Sequence, residues 1–417
     1  MGKNQDDLLK PPVNRSMRIL DKQFFRKSIL LSAAVVPLNL ISSFRKICSM
    51  DIMRRIVPVS YGDCSFKKVV LKPEVSVQNV SKLTEKSHKF IRDNNISIVP
   101  HVLELDYDFW GSDDILNAIL PENLLNDIPC SFTQVGSIAH MNIRQEYLPY
   151  KKIIGEVILS KNKGICTVVN KVDTIDTKFR NFKMEVLAGE NNFFVQHSES
   201  NCLFKFDFSK VYWNSRLSYE HNRLVNLFQK GDAICDVFAG VGPFSIPAGK
   251  KGAIVFANDL NPDSYESLKE NISLNKVDLL VKAYCKDGRQ FIKDSVQELL
   301  DFSRQKIITI SHENSKLQKK VSKFEGILVP QVFKHFIMNL PETSIEFLDA
   351  FKGIYSEHKH LFFSDKNSLP TLHVYCFSKL DPPDDLVSKL SSSLGTTLSQ
   401  NDVNIYCVRK VSPNKFS

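Results

Sequence analysis

The nine cysteines of this chain include no Cys-x-x-Cys pair. Their odd number and scattered placement argue against a secreted disulfide framework and a zinc ribbon, and suit reduced thiols inside a cell. Runs long enough to cross a membrane are missing too. The best of them, Ile29 to Ile41, is short and interrupted by Pro37. No Gly-Lys-Ser/Thr follows the glycine pair Gly240 and Gly242, which excludes a P-loop. The third glycine of a dinucleotide fingerprint is absent as well, because Ser245 takes its place. Acids are in deficit: 46 Asp and Glu face 55 Lys and Arg, leaving +9. An anionic partner, most simply a nucleic acid, is the reading that charge favours.

What is present centres on Asp236-Val-Phe-Ala-Gly240-Val-Gly242-Pro-Phe-Ser, directly after the apolar run Ala233-Ile-Cys. An acid that ends a buried strand, followed by two glycines, suits a nucleotide-like cofactor at the carboxyl edge of a parallel sheet. A second apolar run, Ala253-Ile-Val-Phe-Ala, ends at Asn258-Asp259-Leu260-Asn261-Pro262. Asp259 stands about 20 residues on, where an acid can accept from ribose hydroxyls. Val281-Lys-Ala-Tyr-Cys ends at Asp287-Gly288, and Phe336-Ile-Met ends at Asn339-Leu340-Pro341. Ordinary turns also use Asp, Asn and Gly. Four strand ends in series should nevertheless converge, because open α/β sheets bind ligands there.

Length suggests two or three domains. Residues 1–51 form a basic extension in which Lys22 to Leu31 reads as a basic amphipathic helix, as in a transit peptide. Removing residues 1 to about 48 is then expected to leave activity intact. Residues 52–126 mix short apolar runs with helical stretches, as a recognition module would. Residues 127–210 read as β-rich, with strands at Val135 to Ile143 and at Ile153 to Leu159, the latter in a hairpin through Asn162-Lys-Gly. Residues 211–417 alternate helix and strand, closing with strands at Thr371 to Phe377 and Val403 to Val408 for a total of seven. A polar, lysine-containing insert at 302–324 reads as a surface loop or helix.

The motifs Tyr212-Trp213-Asn214-Ser215-Arg216-Leu217, Glu220-His221, Asp236 to Ser245, Asn258 to Pro262 and Asn339-Leu340-Pro341 occur in one order. In that order they resemble the archaeal and eukaryotic tRNA (guanine-37-N1) methyltransferases, from about residue 130 to the end. The resemblance implies an α/β fold: a class I, Rossmann-like S-adenosylmethionine-dependent methyltransferase domain preceded by two smaller α+β domains. It implies methyl transfer from S-adenosyl-L-methionine to N1 of guanine 37 of tRNA, next to the anticodon. His221, Asp259, Leu260, Asp287, Gly288 and Asn339 match cofactor-contacting positions, and the turn residues Asp236, Gly240 and Gly242 join them. Glu220 matches the general base, Arg180 the residue stabilising the guanine oxygen, and Tyr212 and Pro341 residues around the target base. Arg216 and Asn339 complete the expected substrate and catalytic set. No metal is implied, and the expected partner is tRNA, bound by a monomer without a membrane. Mitochondrial matrix, nucleus and cytoplasm are the expected compartments.

The chemistry needs such groups. Guanine N1 carries a proton that a carboxylate must remove, and negative charge then builds on O6, where a guanidinium stabilises it. Spacing alone leaves Glu220 free to be a helix carboxylate paired with Arg216 or Arg223, and Arg180 to be a phosphate clamp with Lys178 and Lys183. Tyr212 or Trp213 can stack on a flipped base, or be core. Rival readings are an aminocarboxypropyl transferase of wybutosine synthesis acting at the same tRNA position, and a catalytically silent tRNA-binding protein.

Overall fold

The computed structural model describes residues 5–62, 65–175, 182–304, 307–312, 323–362, 369–379, 385–412 and 415–417. Its contacts group the chain into two compact units, not along the boundaries 51/52, 126/127 and 210/211. One unit holds Met1–Ser131, Asn142–Gly164 and Leu187–Gly189; the other holds Phe132–Met141, Ile165–Val186 and Glu190–Ser417. No helix among the described residues is long and apolar enough to cross a membrane.

The first unit is built on a four-stranded antiparallel sheet. Its spatial order is Val59–Tyr61, Phe66–Val70, Lys27–Pro37, Ser97–Leu105. Lys27–Pro37 is therefore an inner strand, paired with Phe66–Val70 on one side and Ser97–Leu105 on the other. This overturns the basic helix expected across Lys22 to Leu31. The run Ile29 to Val36 is apolar apart from Ser32 and buried over most of its length, with Leu30 left exposed, and periodicity cannot separate such a run from a buried helix. Ala33, Ala34 and Val36 are wholly buried. Ala34 and Val36 pack against Phe44 and Ile91 of the helices Ile41–Ile47 and Glu85–Asp93. The basic residues of the segment also serve the fold. Lys27 Nζ donates to the carbonyls of Leu8 and Lys10, both at 2.8 Å, and the Arg18 guanidinium lies 4.7 Å from the centre of the Tyr150 ring.

A second correction falls at Ile153 to Leu159. These residues belong to the helix Lys151–Lys161, not to a strand. Ile153, Ile154, Val157 and Ile158 are buried together, at spacings that share one helical face. Gly155 sits among them because a Cβ there would stand 2.6 Å from Leu187 Cβ. The strand expected at Val135 to Ile143 is two strands, Thr133–Val135 and Ile138–Met141, paired antiparallel around Gly136.

The second unit carries a five-stranded parallel sheet. The order is Val281–Tyr284, Ile254–Asn258, Ala233–Asp236, His335–Met338, Thr371–Val374. Alternate residues feed two cores. Ile234, Val255, Ala257 and Ile337 join Phe244 and Leu268 on one face, whereas Ala233, Cys235, Phe256, Phe336 and Met338 join Phe291 and Leu299 on the other. Both faces are covered, so the strands read as solid apolar runs. Seven strands were expected, but this sheet has five. Val403 to Val408 forms no strand; Lys410–Ser412 pairs with Lys415–Phe416 instead. The 302–324 insert begins as the end of the helix Gly288–Ser303. Ile307–His312 then pairs antiparallel with Lys323–Leu328. Lys306, Lys316, Lys319 and Lys320 lie outside the described residues.

Candidate active site

The chain order of the parallel sheet reverses beside Ala233–Asp236: Ile254–Asn258 lies on one side and His335–Met338 on the other. Crevices form at such switch points, outside the carboxyl ends of the strands. A cavity of about 240 Å³ lies there, and its wall includes Gly240, Asp259, Leu260, Asp287, Gly288, Asn339 and Pro341. The convergence expected of the strand ends is thus present for three of the four.

Asp236 is the exception. It is wholly buried and does not line the cavity. Its Oδ2 accepts from Ser245 Oγ at 2.6 Å, at the start of the helix Ser245–Lys250, while Oδ1 has no partner. Burial pushes its pKa up to about 7, helped by the charge of Asp259 and opposed by the Ser245 bond. Its expected place among the cofactor-contacting residues is corrected: it holds the turn from behind. Gly242 is also absent from the wall. Its φ of +98° and the 2.8 Å from a built Cβ to Ile246 Cδ1 make it a packing glycine.

Asp259 ties two strand ends together. Its Oδ2 accepts from the Gly240 amide and its Oδ1 from the Asn261 amide, both at 2.9 Å. Burial raises its pKa, and the two amides oppose that rise. Each oxygen keeps a lone pair for a further donor. Asp287 caps the helix Gly288–Ser303, accepting from the amides of Arg289 at 2.9 Å and Gln290 at 3.3 Å. Asn258 has a role that spacing could not reveal. Its Nδ2 donates to the carbonyls of Val237 and Lys286, and its Oδ1 accepts from the Lys286 amide, so it joins three strand ends.

The helix Ser218–Leu227 supplies Glu220 and His221. Glu220 is 2% exposed and is not part of the cavity wall. Of the two arginines offered by spacing, Arg223 is the partner: its Nε lies 2.6 Å from Oε2 and its Nη2 2.7 Å from Oε1. The bonds to Glu220 raise the Arg223 pKa. Arg216 is exposed, outside the wall, and reaches Thr133 Oγ1 at 3.5 Å. His221 lines the cavity, and its Nδ1 lies 2.5 Å from Glu199 Oε1. Burial drives the Glu199 pKa up, but its bonds to His197 and His221 outweigh that and hold it below the ordinary value.

Tyr212 and Trp213 both line the cavity, but Tyr212 is 43% exposed, whereas Trp213 is 8% exposed and stacks on Phe206 at 5.1 Å. That separates the free ring from the core ring. Arg180 and Lys178 lie outside the described residues. Sequence reasoning missed Glu199, Tyr375 and Arg409. Tyr375 lines the cavity and its hydroxyl donates to Glu220 Oε1 at 2.6 Å; Arg409 also lines it, with a buried Nη1 that has no partner among the described residues. Each stands far along the chain from the residue it serves, and no local spacing marks it.

The cavity suits a nucleoside cofactor. Asp259 offers acceptors at the end of the second strand, and Phe238, Leu260 and Phe347 offer apolar wall. The orphaned Arg409 Nη1 offers a donor to an anionic or carbonyl group. A parallel sheet covered on both faces, with this cavity at its carboxyl edge, defines a Rossmann-like methyltransferase domain. The TRM5/TYW2 methyltransferase domain model matches residues 195–328, and a TYW2 N-terminal domain model matches residues 112–192. A tRNA (guanine(37)-N(1))-methyltransferase of Schizosaccharomyces pombe is 53% identical over 407 residues, covering 96% of this chain and 92% of the relative. Among solved structures, a complex of aTrm5 and tRNALeu matches with a TM-score of 0.63 at 21% identity, covering 92% of this chain and 97% of that one. A Trm5b from Pyrococcus abyssi matches with a TM-score of 0.59 at 23% identity, covering 93% and 97%. These two likenesses concern the fold. The chain belongs to the family of tRNA (guanine(37)-N(1))-methyltransferases. With 96% of the chain covered, the likeness also extends into the first fifty residues, beyond the limit at about residue 130.

Proposed function

We propose that this chain transfers a methyl group from S-adenosyl-L-methionine to N1 of guanine 37 in tRNA. The observation that carries this reading is the cavity at the strand ends, where a nucleoside-binding wall meets a buried carboxylate: Glu220 is hydrogen-bonded to Tyr375, a residue of that wall.

Asp259 would hold the ribose hydroxyls, and Gly240, Leu260, Asp287 and Gly288 would form the rest of the cofactor's bed. When bound, the cofactor supplies a methyl carbon on a positively charged sulfur. Asn339 and Pro341 hold the edge of the target guanine, and Tyr212 offers an exposed ring to its face. Flipping the base out of its stack is what brings N1 within reach. Glu220 takes the N1 proton, and Arg180, at the family's matching position, stabilises the charge on O6. The chain's +9 charge favours the tRNA backbone.

The test is methylation of a guanine-37 transcript with labelled cofactor, beside an adenine-37 control. Label at N1 of guanine 37 and none in the control is the expected result. Label elsewhere, or transfer of a group larger than methyl, would overturn the reading.

A further inference from the structure

Glu220 has a difficulty as a direct base. Both of its oxygens already accept hydrogen bonds: Oε2 from Arg223 Nε at 2.6 Å, and Oε1 from Arg223 Nη2 at 2.7 Å and the Tyr375 hydroxyl at 2.6 Å. It is 2% exposed and does not face the cavity. Tyr375 does face it. This tyrosine follows the strand Thr371–Val374 and is fixed by its own amide, which donates to the Met338 carbonyl at 3.1 Å. Its ring packs 6.0 Å from Phe244. A phenol that donates its one proton to a carboxylate keeps lone pairs for a second partner. Tyr375 is thus the residue that joins the cavity wall to the carboxylate, whereas Glu220 is not part of that wall. Arg223 holds the carboxylate in place, with its guanidinium 4.2 Å from the centre of the Tyr406 ring.

We propose that Tyr375 is a catalytic residue that relays the N1 proton to Glu220. The N1–H bond breaks and its proton passes to the phenolic oxygen of Tyr375. The phenol's own proton passes to Glu220 Oε1. The electron pair left on N1 forms the new bond to the methyl carbon as the carbon–sulfur bond breaks, its pair going to sulfur. The phenol is regenerated in the same event, so no free phenolate forms. This matters because burial, together with the adjacent Glu220 charge, pushes the Tyr375 pKa well above its ordinary value. The Asp236 charge acts in the same direction and Arg223 opposes it.

The relay rests on the reading of Glu220 as the final proton acceptor, so Tyr375→Phe and Glu220→Gln are compared in the full-length protein. Single-turnover methylation of the guanine-37 transcript is measured in H₂O and D₂O, with cofactor and tRNA affinities measured separately. For Tyr375→Phe the relay requires a fall of about 10²-fold in rate, unchanged affinities, and a smaller solvent isotope effect than wild type. A slow Glu220→Gln beside a Tyr375→Phe within twofold of wild type overturns the relay and leaves the base standing. A fully active Glu220→Gln overturns the base itself. A slow Tyr375→Phe with the wild-type isotope effect reduces Tyr375 to a positioning residue and overturns the relay. Replacing Tyr375 by 3-fluorotyrosine keeps its shape and reads contact without turnover. Its fluorine resonance should move on adding guanine-37 tRNA and stay put with a transcript abasic at that position; equal movement with both counts against contact with the base.

Discussion

The two sheets of this protein each hold a largely buried inner strand but announce it differently. In the parallel sheet, the three inner strands end at polar residues that serve the cavity or its supports: Asp236, Asn258 and Asp259, Asn339. In the antiparallel sheet, the inner strand Lys27–Pro37 is entered from a basic stretch and left through a proline, with no comparable ending. Its apolar run has the same character as Ala233–Asp236, yet it reads as a helix. Polar residues at strand ends make a strand legible, whereas a nearly continuous apolar run lacks the alternation that would otherwise mark it.

The sharpest test of that comparison is deletion of residues 1–48. Because it removes the inner strand, the first unit should lose its protease resistance, and methylation of full-length tRNA should be abolished. A folded, active truncation would return the segment to the status of an extension. Next in size, Glu220→Gln should slow single-turnover methyl transfer by about 10²- to 10⁴-fold with cofactor affinity kept. A wild-type rate would remove Glu220 from the chemistry.

The parallel sheet also buries groups whose titration opposes one another. His373 lies 3.0 Å from His335 through ring nitrogens, and burial, then the neighbouring His335 and Arg223 charges, depress its pKa to about 4. Its neutral form is favoured in the fold, so its contribution is complete above about pH 6.5. That contribution is lost as pH falls toward 4, at about 3 kcal/mol. Asp236, raised to about 7, has the opposite sign: its contribution is complete below about pH 4 and is lost as pH rises through 7. Asp236→Asn should therefore steepen the loss of stability between pH 6.5 and 4.5, read from urea midpoints. Parallel curves for the two proteins would dismiss the opposition.

Smaller effects belong to the first unit. Gly155→Ala places a Cβ 2.6 Å from Leu187 Cβ and should cost about 1–3 kcal/mol in denaturant unfolding. Leu30 stands 76% exposed on the inner strand, so Leu30→Lys should change stability by less than about 0.5 kcal/mol. A large loss there would show that Leu30 is covered in solution.

The catalytic unit was legible where function and local structure coincide. Asp259, Asp287, Gly240 and Asn339 could be placed because a turn at a strand end constrains residue type, and the tertiary arrangement brings them to one wall. Helix spacing offered Arg223 and Arg216 equally to Glu220, and packing chose Arg223. The helix Lys151–Lys161 was misread because its apolar face is dense and Gly155 weakens the helical signal.

By itself, then, the sequence determined the parallel-sheet class, the polar turns at the strand ends and the family, since strand runs and their polar ends are local features. The tertiary structure decided which wall residue meets the buried carboxylate. Tyr375 stands 155 positions from Glu220, and their 2.6 Å hydrogen bond joins the end of the last strand of the sheet to the helix that carries the carboxylate. Such a contact is set by packing between distant elements, and neither residue's neighbours along the chain encode it.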